Sequence, residues 1–164
     1  MKFSDTEIKL KKVLAILLCL IPFSMASNIA SAAGNKHNYL GVFTGILDSG
    51  GKSENIFGIE YEYKFNAQWG VGAVYEKAND YHDGDGLTSK IAALYYHPDG
   101  NWRIGAGFGK EKVGGYHPHT ENLTRLGVSY DFHIGDFGIA PSLNFDRVDG
   151  HTARVYGVAF LWSF

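Results

Sequence analysis

The feature that most constrains this chain is a two-residue alternation that recurs from residue 38 to residue 164. Successive side chains of a β-strand point to opposite faces, so such alternation marks strands with one apolar and one polar face. Eight segments are predicted as strands: 38–47, 56–65, 68–77, 88–96, 102–110, 125–132, 137–146 and 154–164. In 56–65, Phe57, Ile59, Tyr61, Tyr63 and Phe65 oppose Gly58, Glu60, Glu62 and Lys64. In 102–110, Trp102, Ile104, Ala106 and Phe108 oppose Arg103, Gly105, Gly107 and Gly109. Segments 68–77, 125–132, 137–146 and 154–164 repeat the pattern, the last ending in Tyr156, Val158, Phe160, Trp162 and Phe164. Two segments are less clean. The first is apolar on both faces, and the fourth can be phased either way. For the fourth, Ile91, Ala93 and Tyr95 are read as sharing the apolar face, with Lys90 on the polar one.

The predicted connections, 48–55, 66–67, 78–87, 97–101, 111–122, 133–136 and 147–153, nearly alternate between long and short. An even number of antiparallel strands, with both ends on one side and alternating links, is the layout of an outer-membrane barrel. Short links would face the periplasm and long ones the outside. A barrel in water, such as a lipocalin, would turn its apolar face inward, whereas a membrane barrel turns it toward lipid. Glycine on the polar face favours the second reading, because large charged side chains fit a narrow lumen only beside small neighbours. The aromatics agree: Tyr63, Phe65, Trp69, Tyr95, Trp102, Tyr130, Phe132, Phe137 and Trp162 fall near one rim, as an interfacial girdle would. Pro141 lies inside the seventh strand, where a missing N–H is poorly tolerated, so a bulge is expected there.

Before the strands, Lys9, Lys11 and Lys12 precede an apolar run at 13–23 and then the small-residue stretch SMASNIASAAG. That order reads as a secretory signal peptide over 1–33, followed by a barrel domain over 34–164. The run is too short to span a bilayer, which takes ~20 residues. Cleavage would remove Cys19, the only cysteine, and with it thiolate catalysis and disulfides. It would also leave a mildly acidic domain, a poor partner for nucleic acid.

Several segments carry a resemblance: GIEYEYKF (58–65), WGVGAVYE (69–76), YYHP (95–98), RLGVSYDFHIGDF (125–137), FDRVDG (145–150) and VYGVAF (155–160). In these the chain resembles short, uncharacterised bacterial outer-membrane β-barrel proteins of the eight-stranded type. The resemblance implies an all-β, antiparallel up-and-down transmembrane barrel in the outer membrane, and no activity. Phe160, Trp162 and Phe164 resemble the terminal signal by which such proteins are handed to the barrel-assembly machinery.

The phasing turns Glu60, Glu62, Glu76, Asp131 and Asp146 inward against Lys64, Lys90, Arg103 and Arg125. A nearly neutral, mutually paired set that fills the lumen is expected, since a confined charge is costly without a partner. The alternative is a narrow gated ion path; open pores belong to barrels of about 16 strands. An acyl hydrolase or transferase acting on lipid A is a further alternative, using Ser, His and carboxylate. Ser129 and Ser142 sit deep for that, Ser53 and Ser89 near the outer rim lack a His at matching spacing, and Ser53, His151 and Asp146 would meet only through closure of the barrel. Two loop motifs suggest metals weakly. NDYHDGDG (79–86), with His82 beside Asp80, Asp83 and Asp85, lacks calcium-loop spacing and a closing Glu. His117 and His119 lack an obvious third ligand. His97 and His133 read as turn or girdle residues. The expectation is therefore a structural or interaction protein and not an enzyme, without metal or cofactor, monomeric, with outer-membrane lipid and lipopolysaccharide as its surroundings.

Overall fold

The computed structural model describes residues 36–81 and 85–164. The expected signal peptide and Cys19 lie outside the described residues, as do His82 and Asp83. The described chain forms β1 (Asn38–Ser49), β2 (Lys52–Lys64), β3 (Trp69–Ala78), β4 (Leu87–Tyr96), β5 (Trp102–Val113), β6 (His119–Tyr130), β7 (Phe132–Ile134), β8 (Phe137–Val148) and β9 (His151–Ser163). Each strand pairs antiparallel with its neighbour, β1 pairs with β9, and β6 and β7 both pair with β8. The result is a closed eight-stranded barrel in which β6 and β7 make up one stave. Both ends of the described chain lie at one rim, where Asn38 and Phe164 exchange backbone hydrogen bonds of 3.2 and 2.9 Å. We call this the near rim, and the opposite end the far rim.

The expected bulge at Pro141 is absent. Ser129 pairs with Ser142 and Phe132 with Ile139, so the register passes through with no inserted residue. The ladder instead lapses opposite Pro141 and Ala140, which is what divides the stave into β6 and β7. The Asp131 N–H there donates sideways to the Asn101 carbonyl at 2.8 Å.

The strands run further than the alternation indicated, and the long-and-short alternation of links fails. At the far rim, β1 joins β2 through Gly50-Gly51 alone, and β8 joins β9 through Asp149-Gly150 alone. All four of these residues have positive φ, from 46° to 82°. That is the type I′ geometry whose twist matches the flanking strands, and it lets pairing continue to the last residue. At the near rim two turns share one device. Asn66 Oδ1 accepts from the N–H groups of Gln68 and Trp69 (2.9 and 2.8 Å), and Asp99 Oδ1 accepts from those of Asn101 and Trp102 (3.1 and 2.9 Å). Each polar side chain closes the turn just before a tryptophan that starts a strand.

The outer wall is apolar and exposed: Leu40, Val42, Phe57, Ile59, Leu94, Phe108, Leu126, Phe145 and Phe160 all point away from the barrel. The phase chosen for the fourth strand is corrected. Lys90 pairs with outward Tyr75, and cross-strand partners share a face, so Lys90 points outward and Ile91 and Tyr95 point inward. Packing explains the choice, because Ile91 joins Val74 and Leu123 inside, a place an unpaired ammonium could not occupy. Tyr95 thereby leaves the near-rim aromatics and Tyr96 takes its position, its ring 4.9 Å from that of Trp69. Trp102 lies edge-on to Tyr130 at 5.0 Å, and Tyr130 lies 4.6 Å from Phe132.

Candidate functional site

The interior is where side-chain chemistry concentrates, in two clusters, each built around an arginine. In the cluster toward the near rim, Arg103 from β5 donates through Nη2 to Glu60 Oε1 (2.9 Å) and through Nε to Ser129 Oγ (2.9 Å). Its Nη1 lies 3.5 Å from Glu62 Oε2, and its guanidinium sits 5.1 Å from the centroid of the Tyr95 ring. His97 Nε2 bonds the other oxygen of Glu62 at 2.6 Å, and Ser129 donates onward to Asp131 at 3.3 Å. Lys64 rests its ammonium over the Tyr39 ring at 4.3 Å. Toward the far rim, Arg125 from β6 holds two carboxylates. It donates to both oxygens of Glu76 (2.8 and 2.7 Å) and to both of Asp146 (2.6 and 2.6 Å). Fork-to-fork pairing of this kind combines charge with fixed geometry, and guanidinium supplies enough donors for both partners.

Glycine makes the room. A Cβ on Gly58 would come within 2.7 Å of Glu76 Cγ, and one on Gly72 within 2.9 Å of Tyr95 Cε2. A Cβ on Gly70 would collide with the Glu62 carboxylate. A space of about 40 Å³ remains between the two arginines, enough for a few waters at ~10–15 Å³ each.

The sequence thus leads to eight of the nine expected lumen charges. Glu60, Glu62, Lys64, Arg103 and Asp131 gather in the first cluster, and Glu76, Arg125 and Asp146 in the second. Lys90 is outside. His97, Tyr95 and Glu111, read otherwise from the sequence, also face inward. His97 is 1% exposed and pairs with Glu62 rather than decorating a turn. Tyr95 covers Arg103. Glu111 is buried and inward on a part of β5 that was assigned to a loop. With Lys90 gone and Glu111 added, inward acids outnumber bases, and the expected near-neutrality does not hold. Correct phasing of β4 would have revealed His97 and Tyr95, since positions 91, 93, 95 and 97 form one face.

The lumen is also not polar throughout. Its far end is filled by Leu47, Ile56, Ala78, Leu87 and Val155, with Tyr81 of the 79–86 connection packed against them. Burial raises the Tyr81 phenol above its ordinary pKa.

Asp146 gives both oxygens to Arg125, and no hydrogen bond links Ser53, His151 and Asp146 among the described residues. Ser129 contacts Arg103 and Asp131 rather than a histidine. His117 and His119 are exposed, and among the described residues no group of three or more His, Cys, Asp or Glu side chains is placed to hold a metal ion.

No protein-family model matches the chain, and no curated protein matches its sequence. Solved structures do match. The N-terminal β-barrel domain of Pseudomonas aeruginosa OprF is similar with a TM-score of 0.59 at 14% identity, over 79% of this chain and 99% of that one. Neisserial surface protein A gives 0.53 at 15% identity, over 82% and 100%. Ail, the attachment invasion locus protein of Yersinia pestis, in complex with the heparin analogue sucrose octasulfate, gives 0.51 at 19% identity, over 79% and 97%. The fold is that of the small eight-stranded outer-membrane barrels.

Proposed function

We propose that this chain is an outer-membrane β-barrel with a filled lumen, serving a structural or interaction role at the cell envelope and conducting no ions through an open pore. The observation that carries this reading is the combination of a continuous apolar outer wall with an interior occupied by two ionic clusters and an apolar plug. In a barrel in water that outer wall would be an aggregation surface; against acyl chains it is stabilising. The near rim then faces the periplasm. Tyr63, Phe65, Trp69, Trp102, Tyr130, Phe132, Phe137 and Trp162, with Tyr96 in place of Tyr95, form the interfacial girdle there. The charge network has a structural task, holding eight staves around a filled centre.

Purified protein reconstituted in planar bilayers is expected to give no large, stable conductance. Steady porin-like currents would overturn the reading. Lipid A from cells with and without the protein is expected to show identical acylation by mass spectrometry, since among the described residues no serine is hydrogen-bonded to a histidine.

Export by the signal peptide and insertion by the assembly machinery complete the proposal, with Phe160, Trp162 and Phe164 as the recognised terminus. Deleting Phe164 is expected to reduce the folded barrel in outer-membrane fractions severalfold, while the same deletion leaves refolding of purified chain into detergent nearly unchanged. Equal losses in both settings would make Phe164 a packing residue rather than a signal.

A further inference from the structure

The outward face carries a feature that a wall serving only as a lipid boundary would not need. Lys90 on β4 and Lys110 on β5 are direct cross-strand partners, both exposed and both outward. Like charges directly opposite each other destabilise a sheet. One row nearer the far rim, Lys77 and Lys112 flank Thr88 on the same face. The two rows comprise Ile59, Tyr75, Lys90, Lys110 and Asn122, then Phe57, Lys77, Thr88, Lys112 and Thr120. They contain no carboxylate, and none of the four lysines has an ion pair among the described residues.

Immediately below lies a groove of about 530 Å³ cut into the wall. Its floor is the cross-strand pair Ala73 and Ala92, and Tyr61 and Phe108 extend that row on either side. Ile59 and Tyr75 border it toward the far rim, where Lys90 and Lys110 close its upper end. The arrangement is a slot for an acyl chain headed by a concentrated positive charge, at the rim away from both chain ends.

We propose that this groove and its four lysines bind lipid A of lipopolysaccharide, one acyl chain lying over Ala73 and Ala92 and the phosphates held by the lysines. Charge selects this occupant. A phosphate monoester carries ≈ −1.5 to −2 and matches two ammonium groups, so four lysines in two rows match a glycolipid with two such groups. A phospholipid with one diester would leave most of the charge unanswered. Rows two residues apart on a strand are separated by about 7 Å, which spreads the cations over a headgroup rather than a point. The assignment rests on the membrane reading above and adds the identity of one lipid.

Barrel refolded in detergent and mixed with bis-phosphorylated lipid A, monophosphoryl lipid A or phosphatidylglycerol, then read for retained lipid by native mass spectrometry, tests it. Bis-phosphorylated lipid A is expected to bind at least tenfold more tightly than phosphatidylglycerol, with the monophosphoryl form between them. Lys90→Gln with Lys110→Gln is expected to remove about tenfold of that affinity, and Ala92→Phe, which fills the groove floor, a similar amount. Arg147→Gln, outward on β8 away from the groove, is expected to change nothing. Equal retention by the double variant, or phosphatidylglycerol bound as well as lipid A, would overturn the site while leaving the membrane barrel intact. Failure of the wild-type chain to insert into lipid vesicles would overturn the membrane reading and the site together.

Discussion

Replacing Arg125 by methionine is expected to destabilise the barrel by ~3–5 kcal/mol, the usual effect of removing one partner from a buried ionic group. Methionine preserves much of the volume, so the loss isolates the charge. Glu76 and Asp146 would face each other across the lumen with four carboxylate oxygens stripped of their donors. Urea unfolding of the refolded barrel, followed by tryptophan fluorescence, measures it. Adding Glu76→Gln and Asp146→Asn is expected to restore most of the stability, because neutral amides leave no uncompensated charge. A loss below 1 kcal/mol in the single variant would mean that water reaches this cluster and screens it.

Val42→Arg tests the direction in which the sheet faces. Val42 is 58% exposed on β1, between Ile59 and Phe160 on the neighbouring strands. An arginine on the lipid side of a membrane barrel near mid-depth costs ~2–4 kcal/mol. On a water-facing surface the same change falls within about ±0.5 kcal/mol. Unfolding in lipid vesicles is therefore expected to show a loss of the larger size, with Ser53→Arg at the far hairpin as the near-silent control. Indifference at Val42 would refute the membrane orientation, whatever the fold.

The alternation exposed most of this architecture because a half-buried strand enforces it residue by residue. Glu60, Glu62 and Arg103 could be turned inward from sequence alone, since each sits between two large apolar neighbours that must face the other way, and Arg125 lies on the face opposite Leu126, Val128 and Tyr130. Where that contrast weakens, so did the reading. In β4 the segment Ile91-Ala92-Ala93-Leu94-Tyr95-Tyr96 is apolar on both faces, and only its register against Tyr75 and Trp69 decides the phase. The wrong phase then displaced Lys90, Tyr95 and His97 together, as a one-residue slip must. The strand ends failed for a second reason. Residues such as Ser53, Thr120 and Thr152 are polar and outward beyond the apolar belt, so they resemble loops although they are fully paired. Leu87 was hidden in the same way, and Leu47, Ile56 and Val155, at the ends of predicted strands, gave no sign that they meet it in a plug. Glycine in the lumen was legible as a demand for space, but not which side chain would claim it.

The missing N–H of Pro141 leaves a mark on the mechanics of the cylinder. Every other seam of the wall is stitched along an unbroken ladder, whereas the one between β8 and its β6–β7 partner drops its stitches at Tyr130 and Asp131. Those two residues lie within a few positions of the near rim, so the flaw is a notch at an edge rather than a hole in the middle. Tension on such a tube concentrates at a notch, and amide protons beside it are the ones that solvent deuterium should reach first.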